Sequence, residues 1–206
     1  MLLPLFPLPV VVFPRTTLPL HIFEDRYKEM VGEAIASKTE FGMVLARDES
    51  IVNMGCTVVV ENVLKRYPDG RMDVVTGGRR RFEIIALNQE KPYLRGEVEF
   101  FDDDEPGPAP PELRQMALVQ YKGLLELGEP ERHPAPQLAD PQLSFQLTHG
   151  IGDLDFLQTL LSSRSEKERL KSLADFLVEY VPKQRQTAEM RRLAPLNGHG
   201  IKPPGI

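Results

Sequence analysis

Phe101-Asp102-Asp103-Asp104-Glu105-Pro106-Gly107-Pro108-Ala109-Pro110-Pro111 divides the chain into two stretches of different character. An acidic run followed by four prolines and a glycine holds neither a helix nor a central strand, because proline lacks the backbone donor that both require. Residues 104–111 therefore read as a linker. The carboxylates Asp102, Asp103, Asp104 and Glu105 read as a solvated face of it, with no acid–base role. Residues 1–103 before the linker are β-patterned, and residues 112–194 after it are helical.

Toward the amino terminus, Leu2–Phe6 and Thr17–His21 are short extended segments punctuated by proline. Phe41–Arg47, Gly55–Tyr67, Met72–Thr76, Arg81–Leu87 and Tyr93–Phe101 are rich in Val, Ile, Phe and Tyr, the composition of half-buried strands. Tyr67-Pro68-Asp69-Gly70-Arg71 is a tight turn that joins two of them as a hairpin. Alternation puts Phe82, Ile84 and Ala86 on one interior face. A single helix interrupts the strands: Phe23, Tyr27, Met30, Val31, Ala34 and Ile35 recur at steps of three and four from Glu24 to about Ser37. A sheet plugged by one helix points to a closed or nearly closed barrel, since closure removes exposed edges.

Toward the carboxy terminus, Leu113, Ala117, Tyr121, Leu124 and Leu125 mark a helix. Asp140-Pro141 reads as a cap with proline at the first helical position, opening a helix toward Thr148. Asp153 caps a short helix with Phe156, Leu157, Leu160 and Leu161 on its apolar side. Ser165-Glu166-Lys167-Glu168 has the form of a capping box, followed by Leu170, Leu173, Ala174, Leu177, Val178 and Val181 until Pro182. Short connections imply an antiparallel bundle. Residues 195–206 carry no periodicity and are expected to form a flexible tail. The fold class is α+β.

The 206 residues are 41% hydrophobic and 27% charged, an ordinary globular composition, and the formal net charge of −5 opposes binding to a phosphate backbone or an anionic membrane. Cys56 is the sole cysteine, so neither an intramolecular disulfide nor a cysteine zinc cluster can form. Its place in Gly55-Cys56-Thr57-Val58-Val59-Val60 makes it an inert core thiol. The start, Met1-Leu2-Leu3-Pro4-Leu5-Phe6-Pro7-Leu8-Pro9, is apolar but lacks the basic residues and helix-forming core of a signal peptide. A cytoplasmic protein is expected.

Chemistry-bearing motifs are sparse. No glycine pair leads into the lysine of a phosphate-binding loop, and Gly77-Gly78-Arg79-Arg80-Arg81 opens a strand where such a loop opens a helix. His21, His133, His149 and His199 share no metal-ligand spacing. No serine sits in a Gly-x-Ser-x-Gly elbow. Neither catalytic residues, metal nor cofactor is expected. Lys65, Arg66, Arg79 and Arg81 offer a basic patch, but strand alternation turns Arg80 away from Arg79 and Arg81 and divides the charge. Exposed or carboxylate-paired arginines are the plainer account.

Three segments resemble the amino-terminal domain family of Lon proteases. The first runs from Leu3-Pro4-Leu5-Phe6-Pro7-Leu8 through Val10-Val11-Val12-Phe13-Pro14 to Leu18-Pro19-Leu20-His21-Ile22-Phe23-Glu24. The second is Arg26-Tyr27 on the first helix. The third is Gly77-Gly78-Arg79-Arg80-Arg81-Phe82-Glu83-Ile84, similar to the family's glycine-arginine-phenylalanine strand. Order and spacing agree over about residues 1–190. Asp25 departs from the pattern, where free-standing members would carry proline. The resemblance implies a PUA-like, mostly antiparallel β pseudo-barrel with one inserted helix, followed by a carboxy-terminal helical bundle. It further implies a free-standing relative of the Lon substrate-recognition domain, without ATPase or peptidase.

The expectation is thus a non-enzymatic, ATP-independent binder of unfolded protein or extended peptide segments, as an adaptor or regulator in a protease system, with no membrane partner. The prolines at 4, 7, 9, 14 and 19 confine their neighbours to edge positions and leave room for an apolar groove between barrel and bundle. Phe13, Pro14, His21, Phe23 and Tyr27 are its expected lining, although Phe23 and Tyr27 also have core spacing. The alternative is an RNA-binding PUA-like module using Lys65, Arg66, Arg79 and Arg81; nucleic acid is disfavoured by the net charge.

Overall fold

The computed structural model describes residues 1–48, 50–127 and 135–193. His133, His199 and the tail expected over 195–206 lie outside these. The chain forms two compact units: Met1–Gly107 with Ile151–Glu166, and Pro108–Gly150 with the chain from Lys167 onward.

The first unit is built on β1 (Leu2–Leu8), β2 (Thr17–Ile22), β3 (Phe41–Arg47), β4 (Ser50–Arg66), β5 (Met72–Asn88) and β6 (Arg95–Phe101). Their order is β2-β5-β4-β3-β1-β6, and β6 also pairs with β5. Five strands thereby close on themselves and β2 hangs outside on β5. All pairs are antiparallel except β1 with β3, where Leu5 lies opposite Gly42. A parallel pair needs a crossover, and β2 with α1 (Asp25–Ser37) supplies it.

The sequence reads Met72–Thr76 and Arg81–Leu87 as separate strands, yet β5 runs unbroken. Its first part pairs with β2 and its last part with β6. Gly77-Gly78 is strand, because a loop crosses it there: Arg15 N–H donates to the Gly78 carbonyl at 2.9 Å and Gly78 N–H to the Thr16 carbonyl at 2.8 Å. A Cβ on Gly78 would lie 2.0 Å from the Phe13 carbonyl oxygen, so only glycine admits the crossing.

Leu3, Leu5, Val44, Phe82 and Val98, from four strands of the closed sheet, pack as one buried cluster. Gly42 and Gly55 leave the space that the Phe82 ring fills. Ala86, expected to share the interior face of Phe82 and Ile84, is exposed. The register against β6 shifts between Ile84 and Ala86, and such a bulge breaks the two-residue alternation.

On β2, Pro19 lies opposite Val75. Proline has no N–H, so Leu18 and Leu20 must carry the ladder and Pro19 faces the free edge, where it blunts pairing with another chain. α1 buries Tyr27, Met30, Val31 and Ala34, and the Tyr27 ring stacks on Phe6 at 4.1 Å. Asp25 is its first residue and pairs with Lys28 at 2.8 Å. The hairpin turn has the expected form, with Gly70 at φ 85° and its N–H donating to the Tyr67 carbonyl at 3.0 Å. α4 (Leu154–Ser162) belongs to this unit, and the Asp153 carboxylate accepts from the Phe156 N–H at 2.9 Å, the cap that the sequence implies.

The second unit contains α2 (Pro111–Leu125), α3 (Leu143–Gln146) and most of α5 (Glu166–Leu193). Two expectations change here. Asp140 is not an N-cap: its carboxylate accepts from the Gln142 N–H at 2.8 Å and the Gln146 amide at 2.5 Å, which leaves a single helical turn over 143–146. Pro182 does not end α5. Its ring forfeits the bond to the Val178 carbonyl and crowds that carbonyl, but Val178 and Pro182 both lie on the exposed side, where the helix can bend and water can take that acceptor. Buried Arg169 donates to Ser144 Oγ at 2.9 Å and lies over the Phe145 ring, tying α5 to α3.

Gly78 and Gly32 give opposite expectations. Gly78→Ala should destabilise the protein by about 1–3 kcal/mol, because the atom it would strike is backbone that cannot swing away. Gly32 lies within α1 with nothing within 4 Å of an added Cβ, so Gly32→Ala should stabilise by about 0.5–1 kcal/mol. Urea denaturation midpoints of the two variants check both signs.

Candidate peptide-binding site

Arg79, Arg80 and Arg81 each meet a different carboxylate. Arg79 pairs with Glu61 at 3.0 Å, and Arg80 with Glu40 at 3.0 Å while lying over the Phe100 ring. Arg81 is 1% exposed and meets Asp103 at 2.6 Å. Its guanidinium also donates to the carbonyls of Leu161 and Ser163 and stacks on Phe101. Asp103 is correspondingly only 7% exposed, a correction to its reading as part of a solvated linker face. Arg81 is equally no surface residue, so the basic patch expected of Lys65, Arg66, Arg79 and Arg81 loses that member. These bonds also explain why Ile151–Glu166 cluster with the strands, although the sequence division places them among the helices of 112–194. Gln158 donates to the Met54 carbonyl at 3.1 Å, and Arg47 pairs with Asp155, adding two more ties between α4 and the sheet.

The five residues expected to line a peptide groove separate into two groups. Phe13, Pro14 and Tyr27 are buried and cannot face a ligand. His21 and Phe23 are exposed, at the end of β2, with ring centroids 6.0 Å apart and planes 21° from parallel. Phe23 is 60% exposed.

Around them the structure assembles residues from the β4–β5 hairpin. His21 Nδ1 lies 2.5 Å from Asp73, and Tyr67 donates to the other Asp73 oxygen at 2.8 Å. Tyr67 meets His21 edge-on at 6.0 Å. Lys65 and Arg71 both lie over the Tyr67 ring, at 4.4 and 4.9 Å. Leu64, also on β4, is 60% exposed. The bond from His21, followed by that from Tyr67, holds the Asp73 carboxyl below its ordinary value. The result is an aromatic platform with a cationic rim and a fixed carboxylate.

Tyr67, Asp73 and Leu64 escape a reading by motif. The hairpin register alone puts Lys65 opposite Asp73, which a turn at 67–71 makes legible. That His21 joins them depends on β2 pairing with β5, a contact far apart in sequence.

Burial pushes the Cys56 thiol up to about 12, well away from the range of a reactive thiolate. Among the described residues no cluster of His, Cys, Asp and Glu is placed to hold a metal ion, and no helix is long and apolar enough to cross a membrane.

A mostly antiparallel, closed sheet with one crossover helix, together with a helical unit, is the fold of the Lon N-terminal domain. The family model of the ATP-dependent protease La (LON) substrate-binding domain matches residues 2–182, and the chain belongs to that family. The crystal structure of a Lon N-terminal domain protein from Xanthomonas campestris superposes with a TM-score of 0.69 and 26% identity, covering 84% of this chain and 96% of that one. The N-terminal domain of the Mycobacterium avium complex Lon protease shares the fold, with a TM-score of 0.62 at 19% identity, over 87% of this chain and 99% of that one. The Lon protease of Parabacteroides distasonis is 29% identical over 112 residues, which are 50% of this chain and 14% of that protein. Lon protease 1 of Hydrogenovibrio crunogenus is 30% identical over 103 residues, 47% of this chain and 13% of that protein.

Arg81→Ala should cost about 3–5 kcal/mol, since it leaves the Asp103 carboxylate buried without its counter-charge. Arg79→Ala, at an exposed pair, should cost about 1 kcal/mol or less. Chemical denaturation of both variants measures the difference, and equal losses would contradict the buried-latch assignment.

The Asp73 shift has a defined sign. Its folded value is depressed, so the His21 and Tyr67 contacts contribute above the ordinary carboxylate range and are lost as pH falls through the depressed value. His21→Ala should move the Asp73 carboxyl titration upward, toward the ordinary range. Carbon-detected NMR titration of Asp73 in both proteins reads this directly, and an unmoved titration would mean that the contact does not hold in solution.

Proposed function

We propose that this chain is a non-catalytic protein-binding module that holds extended apolar segments of unfolded proteins, and that it serves as an adaptor or regulator of proteolysis. The observation that carries the reading is Phe23. A phenylalanine left largely in water, beside a histidine and tyrosine pinned by one carboxylate, is poorly explained by packing and well suited to a partner's apolar side chain. Leu64 is a further exposed apolar side chain of the same hairpin, and Lys65, Arg71 and Asp73 give the platform a rim of mixed sign. Membership in the substrate-binding family supports the same reading.

The rim also argues against an RNA platform. Arg81 is buried, Arg79 shares its charge with Glu61, and Lys65 sits beside Asp73 across the hairpin. The net charge of −5 works in the same direction.

Phe23→Ser with Leu64→Ser should weaken binding of a permanently unfolded protein, such as reduced and carboxymethylated α-lactalbumin, roughly tenfold or more. The thermal midpoint should hold, because both side chains are exposed. Fluorescence anisotropy with the labelled unfolded protein makes the measurement. Undiminished binding by the double variant would remove this surface from the account. Saturable ATP hydrolysis or substrate cleavage by the unaltered chain would remove the non-catalytic reading.

A further inference from the structure

Within the second unit, the extended segment Pro108-Ala109-Pro110-Pro111 forms one wall of a cavity of about 650 Å³. Arg114, Gln115 and Leu118 of α2, with Leu138 and Ala139, complete its lining. The volume lies within the span of ordinary ligand pockets. Arg114 and Leu118 are one helical turn apart and share a face of α2. Leu138 is among the exposed large hydrophobic side chains of the chain.

The polar resources of this cavity are few. Three of the nine described lining residues are prolines and bring no backbone donor. Among the described residues, polar side chains come from Arg114 and Gln115 alone. Arg114 Nη1 donates to the Asp140 carbonyl at 3.3 Å, a neutral acceptor. The Asp140 carboxylate itself is engaged by the Gln142 N–H and the Gln146 amide. A guanidinium has five N–H donors, so a cation with donors to spare stands against an apolar wall that, among the described residues, offers it no carboxylate. Charge complementarity therefore specifies the occupant: an apolar side chain against the prolines and leucines, and a carboxylate on Arg114. The Gln115 amide can pair with a passing peptide bond.

We propose that this cavity binds an extended protein segment in which a large apolar residue adjoins a glutamate or aspartate. The proposal rests on the protein-binding reading and refines its substrate class, but it uses a surface separate from Phe23. The two can therefore fail independently.

The test uses two labelled hexapeptides with blocked ends, alanine-leucine-phenylalanine-glutamate-leucine-alanine and the same sequence with glutamine for glutamate, titrated into the full chain. Blocking both ends leaves the glutamate side chain as the sole carboxylate. The glutamate peptide should bind roughly tenfold tighter, the scale of a charge-assisted hydrogen bond. Arg114→Gln should abolish that preference, and Phe23→Ser should leave it in place. Amide chemical-shift mapping on the unaltered chain should place the peptide at Arg114, Gln115 and Leu138, which decides the matter even if Arg114→Gln does not fold. Equal binding of the two peptides, a preference that survives Arg114→Gln, or shifts confined elsewhere would overturn the proposal. Binding of neither peptide, with unfolded-protein binding intact, would remove the cavity proposal and leave the proposed function standing.

Discussion

A guanidinium in the interior organises the first unit. Taking Arg81 out of water costs several kcal/mol unless its charge is met, and its charge and both terminal nitrogens are met by groups from distant parts of the chain. Asp103 supplies the counter-charge just beyond β6. Leu161 and Ser163 supply carbonyls at the end of α4, and Phe101 supplies a ring face. The strand carrying Arg81 thereby fixes where β6 ends and where α4 docks. Residues 151–166 belong with the sheet for that reason, although the whole of Pro108–Gly150 intervenes. Arg164 adds its own guanidinium over Phe101, and the Asp104 N–H donates to the Arg164 carbonyl at 3.0 Å. The acidic run before the prolines is thus partly structural.

Much of the architecture is legible in the sequence, because its causes are local. β-branched and aromatic runs mark the strands, Pro68 and Gly70 mark the hairpin, and steps of three and four mark α1 and α2. The misreadings arise where the cause is remote. Gly77-Gly78 looks like a break between strands until the Phe13 carbonyl is seen crossing it. Ala86 loses its interior place to a bulge against β6, and Arg81, expected in a basic patch with Lys65, Arg66 and Arg79, is buried on Asp103, 22 residues away in sequence. Pro182 would end a helix whose next turn had to be buried, but α5 runs on through exposed polar residues.

The candidate site divides in the same way. The aromatic and proline-rich segment from Phe13 to Tyr27 attracts attention in the sequence, yet the loop crossing β5 buries Phe13 and Pro14, helix packing buries Tyr27, and His21 and Phe23 stay outside. Their companions Tyr67 and Asp73 come from the hairpin, brought near by β2 hanging on β5 beyond the closed sheet. That placement gives β2 a free edge, and Pro19 limits pairing along it. Binding at this end therefore falls to side chains more than to a backbone ladder, in keeping with the proposed capture of varied apolar sequences.

Hydrogen–deuterium exchange of the full chain, with and without saturating reduced and carboxymethylated α-lactalbumin, tests this account most directly. Bound unfolded protein should slow exchange across residues 17–23 and 64–73, while the strand segment around Arg81 stays unchanged. Exchange left unaltered over 17–23 and 64–73, with protection elsewhere or nowhere, would contradict it.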